Sequence, residues 1–263
     1  MKNTKKLLTP MFLVLIGLAT LSFMAKEAIM LRLHPEAGKS YTVTSKANMT
    51  NIMKVQGQTM TMSQVVETKQ SFTAKNVTDA QSVIESQTDA IKMSISQMGM
   101  KLEYDSEHPE KTSPMLAGQT KEMDESLNKP INITYDALGN IADEDTDLAK
   151  NQLGNAIIQL PEEELKVGSK WSSKKTQEVS GTEIIASLEY TVTAISKKSV
   201  DVSFTGNVES KDVTGSYNGT ASINPQTGMI MSSSTKTNFN MTINEQGMSL
   251  PLNMIGTTTV EVK

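Results

Sequence analysis

Tyr41-Thr42-Val43-Thr44-Ser45-Lys46-Ala47-Asn48-Met49 alternates between two kinds of residue, and Met53 and Val55 continue the odd-numbered set. A period of two is the signature of a strand with one face turned inward. Gln56-Gly57-Gln58 then offers a turn, after which Met60, Met62, Gln64, Val66, Thr68, Gln70, Phe72 and Ala74 fall on one face of a second long strand. Together they predict an antiparallel hairpin.

The same style extends outward. Strands are expected at Gln81–Glu85 and Ala90–Tyr104. In the second the inward set passes from Ile91, Met93 and Ile95 to Met98, Met100, Leu102 and Tyr104, which places a turn or bulge near Gln97-Met98-Gly99. Further on, Ile184, Ala186, Leu188, Tyr190, Val192 and Ala194 alternate, Lys197-Lys198 reads as a turn, and Val200, Val202, Phe204, Gly206 and Val208 return. Val213–Ile223, Met229–Met241 and Met248–Val262 follow, joined by short polar turns such as Asn224-Pro225-Gln226-Thr227-Gly228. Successive strands with short turns make a meander rather than a βαβ unit, and strands of this length need curvature or closure to protect their edges.

Two stretches depart from this period. Met115, Leu116, Met123 and Leu127 predict a helix over 114–128, between Pro114 and Pro130. A second helix is expected over Asp145–Gln159, with Leu148, Leu153, Ile157 and Leu160 inward and acidic residues at its start. Gly38-Lys39-Ser40-Tyr41 and Gly168-Ser169-Lys170-Trp171 each open a β region after a Pro and acidic residues. Ile133–Ile141 and Ser222–Ile230 each contain a turn closed by Gly, in the same order, which points to an internal duplication. The expected architecture is mainly β with two helices: a long curved antiparallel sheet or half-barrel of two similar halves, with the helices on the concave side. Its parts are a signal segment 1–25, a first half 30–142, a helical connector 143–160 and a second half 161–263.

Lys2, Lys5 and Lys6 precede an apolar run from Met11 to Phe23, the pattern of an export signal and shorter than a membrane span. Cleavage is expected near Ser22 or Ala25; an uncut signal would anchor the chain, its one link to the membrane. The expected location is exported: periplasm, cell envelope or the medium. The sequence has no Cys, so a disulfide framework and an N-terminal lipid anchor are excluded. A formal net charge of −4 with interspersed signs argues against nucleic acid as a partner.

Leu160-Pro161-Glu162-Glu163-Glu164 followed by Val167-Gly168-Ser169-Lys170-Trp171, together with a signal lacking a lipobox and two β regions, resembles a family of exported bacterial proteins known as a domain of unknown function. That resemblance implies a two-part β fold over nearly the whole mature chain and no catalytic residues. At the level of fold alone, a long curved sheet with helices on its concave side is similar to the periplasmic lipoprotein-carrier half-barrels.

The chemistry narrows by elimination. No Gly-x-Ser-x-Gly elbow, phosphate loop or His-Glu-x-x-His pair is present, and His34 and His108 both lie in turn-like segments next to Pro. Asp143-Glu144-Asp145-Thr146-Asp147 lacks the Gly and the distal Glu of a calcium loop and reads as a solvated helix start. No enzyme, cofactor or metal is expected. The Met-x-Met pairs Met60/Met62, Met98/Met100 and Met229/Met231, with Leu102 and Trp171, are read as a deformable apolar lining for a hydrophobic small molecule or lipid. Thioether ligation of Cu(I) by the same pairs is the sharper chemistry, but period-2 packing accounts for them without a metal. The second functional class is a structural or assembly module of the envelope, acting through a protein partner.

Overall fold

The computed structural model describes residues 28–263 apart from 56, 117, 119, 145–156, 180–181, 211–212 and 246–247. The apolar N-terminal run and most of the helix expected over Asp145–Gln159 therefore lie outside the described residues. Twelve strands are formed: β1 Ser40–Val55, β2 Gln58–Val77, β3 Gln81–Gln97, β4 Met100–Asp105, β5 Ile131–Asp136, β6 Ile141–Glu144, β7 Lys170–Val179, β8 Thr182–Ile195, β9 Val200–Glu209, β10 Val213–Ile223, β11 Ile230–Glu245 and β12 Met248–Val262. All belong to one antiparallel sheet, ordered β6-β5-β3-β2-β1-β12-β11-β10-β9-β8-β7, with β4 also paired to β3. The two β regions are thus one body, joined by β1 and β12 from Val43↔Val262 to Met53↔Leu252.

Directly opposed residues of antiparallel strands share a face. One row runs Tyr104, Met93, Val66, Ala47, Thr258, Thr235, Gly219, Phe204, Tyr190, Trp171 across ten strands. The neighbouring row on the other face runs Asp105, Lys92, Glu67, Lys46, Thr259, Ser234, Thr220, Ser203, Thr191, Lys170. The alternation seen in single strands therefore adds up to one mostly apolar face and one polar face over the whole sheet. Gly219 serves the first: a side chain there would meet the Phe204 ring, which fills the space instead.

The sheet curls with its apolar face inside. In a flat sheet β5 and β8 would be eight strand spacings, about 38 Å, apart. Instead Tyr135 of β5 and Tyr190 of β8 line the same cavity of about 240 Å³ together with Ile157 and Ile158. Bulges at Asp89 of β3, opposite Lys69/Gln70, at Ala74/Asn76 of β2 and at Val192/Ala194 of β8 add local bend and twist. Residues 157–160 link the two sides of the curl: Leu160 N–H donates to Leu138 O at 2.7 Å, and the Trp171 indole N–H donates to Gln159 O at 3.0 Å.

One end of the curl is plugged by extended chain. Residues 28–36 alternate, so that Leu31 and Leu33 are fully buried while Arg32 reaches sideways, its guanidinium donating to the carbonyls of Leu31, Pro161 and Glu162 at 2.7, 3.0 and 2.9 Å. Leu33 N–H donates to Ala137 O and His34 N–H to Thr227 O, so this strap is tied to a turn in each β region. Gly228 makes the second tie practicable: its φ is +68°, and a side chain there would run into the Arg32 carbonyl. Ile29 and Leu165 form a bridge, and Leu31, Leu33, Leu160 and Leu165 pack with Tyr41, Phe72, Ile84, Ile133, Val200 and Ile223 into one buried core.

Several expectations are corrected. Helix 114–128 shrinks to α1, Lys121–Ser126; the chain before it turns rather than coils, with Gly118 in its middle weakening any helix there. The strands expected at Gln81–Glu85 and Ala90–Tyr104 are instead β3, continuous to Gln97, and β4. The phase change between them is a two-residue hairpin turn with Met98 at φ 50° and Gly99 at φ 81°. Asp143 and Glu144 end strand β6 rather than starting a helix. What plugs the curl among the described residues is extended chain, not a helix pair.

Candidate hydrophobic site

α1 does lie on the inner face. Met123 packs with Met93, Tyr104 and Leu116, and the Tyr104 hydroxyl donates to Asp124 Oδ1 at 2.6 Å. Burial, and then the hydrogen bond to Asp124, push the Tyr104 phenol well above its ordinary value; burial alone pushes up Tyr190 and Tyr217. Unfolding releases these protons near pH 10 while the folded chain keeps them. Stability is therefore full below that pH and falls as pH rises above it. Tyr104→Phe should flatten this alkaline loss, read as urea midpoints at pH 8 and 11; an unchanged pH dependence contradicts the assignment.

The apolar residues sort into three places. At the plugged end they form the buried core, and under α1 they form the smaller cluster of Met93, Tyr104 and Leu116. At the other end of the inner face one row runs Met100, Gln97, Met62, Asn51, Met254, Phe239 and the next runs Met60, Met53, Leu252, Met241, Val213. Met49 lies one row inward, opposite Gly256. Met49, Met53, Met60, Met62, Met241, Leu252 and Met254 are half-buried and belong to neither cluster. They line an open trough floored by β2, β1, β12 and β11. Phe239, edge-on to Tyr217 at 4.9 Å, closes its β10 side.

Of the eight lining residues expected from the sequence, four lie on this side of the inner face: Met60, Met62, Met100 at the rim and Leu102. Met98 is the hairpin tip, 78 % exposed, and leaves the set because its positive φ takes it out of the strand. Met229, Met231 and Trp171 sit at the opposite, plugged end. Met229 is buried in the core just before β11; a register shift at Ser222/Ile223 breaks the expected Met229/Met231 stripe. Trp171 stacks on Tyr190 at 4.8 Å and 10°. Asn51, Met49 and Met53 are additions that the β1–β2 hairpin sets beside Met60 and Met62, and Met241, Leu252 and Met254 are additions brought in by the pairing of β1 with β12.

The larger depressions lie elsewhere. One of about 810 Å³ over β7–β10 is lined mainly by Ser172, Lys174, Ser187, Glu189, Thr205 and Asn207. Another, of about 440 Å³, is lined by Lys46, Glu67, Lys92, Glu107 and Glu261. Both are solvent-facing grooves of the polar face, where the Lys46–Glu67 and Lys92–Glu107 pairs, each at 2.7 Å, are exposed and contribute little. His34 and His108 are also on the surface.

Fold and site together define a curled antiparallel sheet, apolar inside and polar outside, plugged at one end and methionine-lined at the other. Residues 144–246 match the model described as "Family of unknown function (DUF6263)". The resemblance to a family of unknown function therefore holds, over a narrower span than the whole mature chain. No curated protein matches the sequence. Among solved structures, "Lipid-protein interactions in lipovitellin" is similar over 87 % of this chain at 14 % identity and a TM-score of 0.50, and this chain spans 25 % of that one. That likeness is one of fold. The outer membrane channel COG4313 of Pseudomonas putida F1 is matched over 88 % of this chain and 98 % of its own at 6 % identity and a TM-score of 0.36. A putative outer membrane lipoprotein-sorting protein domain of Vibrio parahaemolyticus is matched over 81 % and 83 % at 7 % identity and a TM-score of 0.15. Scores this low carry no argument.

Proposed function

We propose that this chain is a non-enzymatic, exported envelope protein that holds a hydrophobic ligand such as a lipid in the trough lined by Met49, Met53, Met60, Met62, Met241, Leu252 and Met254. One observation carries the reading: the inner face continues past the packed core into a contiguous apolar patch that neither cluster fills. Patches of this kind on soluble proteins mark a binding surface. Methionine suits an irregular, exchangeable occupant because its side chain adapts its shape. The polar outer face supports a water-surrounded body, since a membrane barrel has the reverse pattern, apolar outside. The basic and apolar N-terminal segment supports export. A fold shared with a protein described for its lipid interactions fits the reading without carrying it.

Within this reading the sheet derives from two similar units. Support comes from Asp136 and Asn224, which each cap their own turn: Asp136 accepts from Leu138 and Asn140 N–H, Asn224 from Gln226 N–H. Each turn then closes on a Gly at positive φ, Gly139 and Gly228.

The environment-sensitive dye N-phenyl-1-naphthylamine should brighten on the full chain and be displaced by dodecan-1-ol. A dye signal that dodecan-1-ol does not displace would contradict a lipid trough. The second reading, an assembly module with an envelope protein partner, is favoured by the hairpin tip, where Met98 and Met100 are 78 % and 55 % exposed. On that reading removing Met98, which lies outside the trough, changes partner binding and leaves the dye signal intact.

A further inference from the structure

The trough contains one polar atom that the fold does not explain. Asn51 stands in the row between Met62 on β2 and Met254 on β12, so its side chain shares their apolar face. Its Oδ1 is buried and has no hydrogen-bond partner. A buried acceptor left unpaired costs about 1–3 kcal/mol, and native chains keep few of them. The other polar side chains nearby differ in this respect. Gln64 Nε2 donates to Met93 Sδ at 3.3 Å, and the outer-face Asn253 donates to Asn238 and Asn240 side chains at 2.9 and 3.0 Å. Two hydroxyls share the orphan state, Ser86 and Thr112, but Ser86 is inside the plugged core and Thr112 lies in the loop after β4, both away from the trough. Packing does not account for Asn at position 51 either, because leucine or methionine would bury more apolar surface between two methionines.

We infer that Asn51 is the specificity-determining anchor of the trough and that its ligand is an aliphatic chain carrying a hydrogen-bond donor, a hydroxyl or an amide N–H, which donates to Asn51 Oδ1. This rests on the carrier reading and adds the polar chemistry of the ligand to it. Hydrocarbon would lie along Met53, Met60, Met62 and Met254 while the donor sits in the middle of the row. A chain whose only polar atoms are acceptors, such as an ether, would leave Oδ1 unpaired and add a second unsatisfied oxygen. A site built around a buried polar group discriminates against the analogue lacking the matching group far more strongly than an apolar pocket discriminates by size.

The test compares dodecan-1-ol with 1-methoxydodecane, equal in chain and different in the donor, on the full chain and on Asn51→Leu, by displacement of N-phenyl-1-naphthylamine. The wild type should bind the alcohol at least about 10-fold more tightly than the ether. Asn51→Leu should lose that preference and bind the ether at least as well as the wild type does. Asn51→Val, with a side chain suited to a strand, should behave as Asn51→Leu and guards against a variant that fails to fold. Equal wild-type binding of both probes, or a preference that survives both substitutions, overturns the inference and leaves the carrier reading in place. Failure of both probes to displace the dye from the wild type overturns the inference and the carrier reading together.

Discussion

Replacing Met60 and Met62 together by glutamine is expected to abolish retention of an apolar ligand while leaving the protein folded. Both are half-buried on the inner face, opposite Met53 and Asn51, and neither belongs to a packed cluster. Glutamine keeps the length of the side chain and replaces the thioether with an amide that a hydrocarbon cannot satisfy. If the two thioethers offer on the order of 100 Å² to the ligand, about 2.5 kcal/mol is lost at ~25 cal/mol per Å². Desolvating two amides without partners adds roughly 1–3 kcal/mol each. The sum corresponds to a loss of affinity of more than about 100-fold. The urea midpoint should barely move, because Gln64 and Gln97 already occupy this face. Dye displacement measures the first quantity and circular dichroism in urea the second; ligand retained at wild-type affinity would remove the trough from the account.

The second large effect is at the plugged end. Ile223→Ala is expected to cost about 2–5 kcal/mol, the range for truncating a fully buried aliphatic side chain where the site cannot collapse. Ile223 is fully buried in the cluster that also holds Leu31, Leu33 and Met229, so the cavity would open beneath the strap and against two strands at once. Leu165→Ala, 2 % exposed and bridged to Ile29, should fall in the same range because it undoes the other half of the plug. The measurement is the urea midpoint with an unchanged slope. A cost below about 1 kcal/mol for both would mean that the plug is not the main core.

These two ends were legible in the sequence to different degrees. Strand faces followed directly from period-2 alternation: Tyr41, Val43, Ala47 and Met49 of β1 oppose Phe72, Gln70, Val66 and Gln64 of β2 as the pattern requires. Hairpin partners are local, so Met60 and Met62 could be placed opposite β1. The pairing of β1 with β12 joins residues two hundred positions apart, and no local signal carries it. That pairing is what brings Leu252, Met254 and Met241 beside Met53, so half of the trough was invisible. Met98 misled because alternation takes no account of φ; the Met98-Gly99 dipeptide at a phase change was the available clue. The strap leaves a weaker trace in the sequence. Leu31, Leu33 and Pro35 do alternate, but three residues are too few to stand out beside strands of ten to twenty. Over 114–128 the apolar spacing points to a longer helix than α1, and Gly118 is the opposing signal.

The most direct test of the carrier account is native mass spectrometry of the protein expressed with its own N-terminal segment and purified from the cell envelope, set against the denatured spectrum. The account predicts a stoichiometric apolar adduct in the native spectrum that is lost on denaturation and absent from Met60→Gln/Met62→Gln. A native mass equal to that of the bare polypeptide would contradict it.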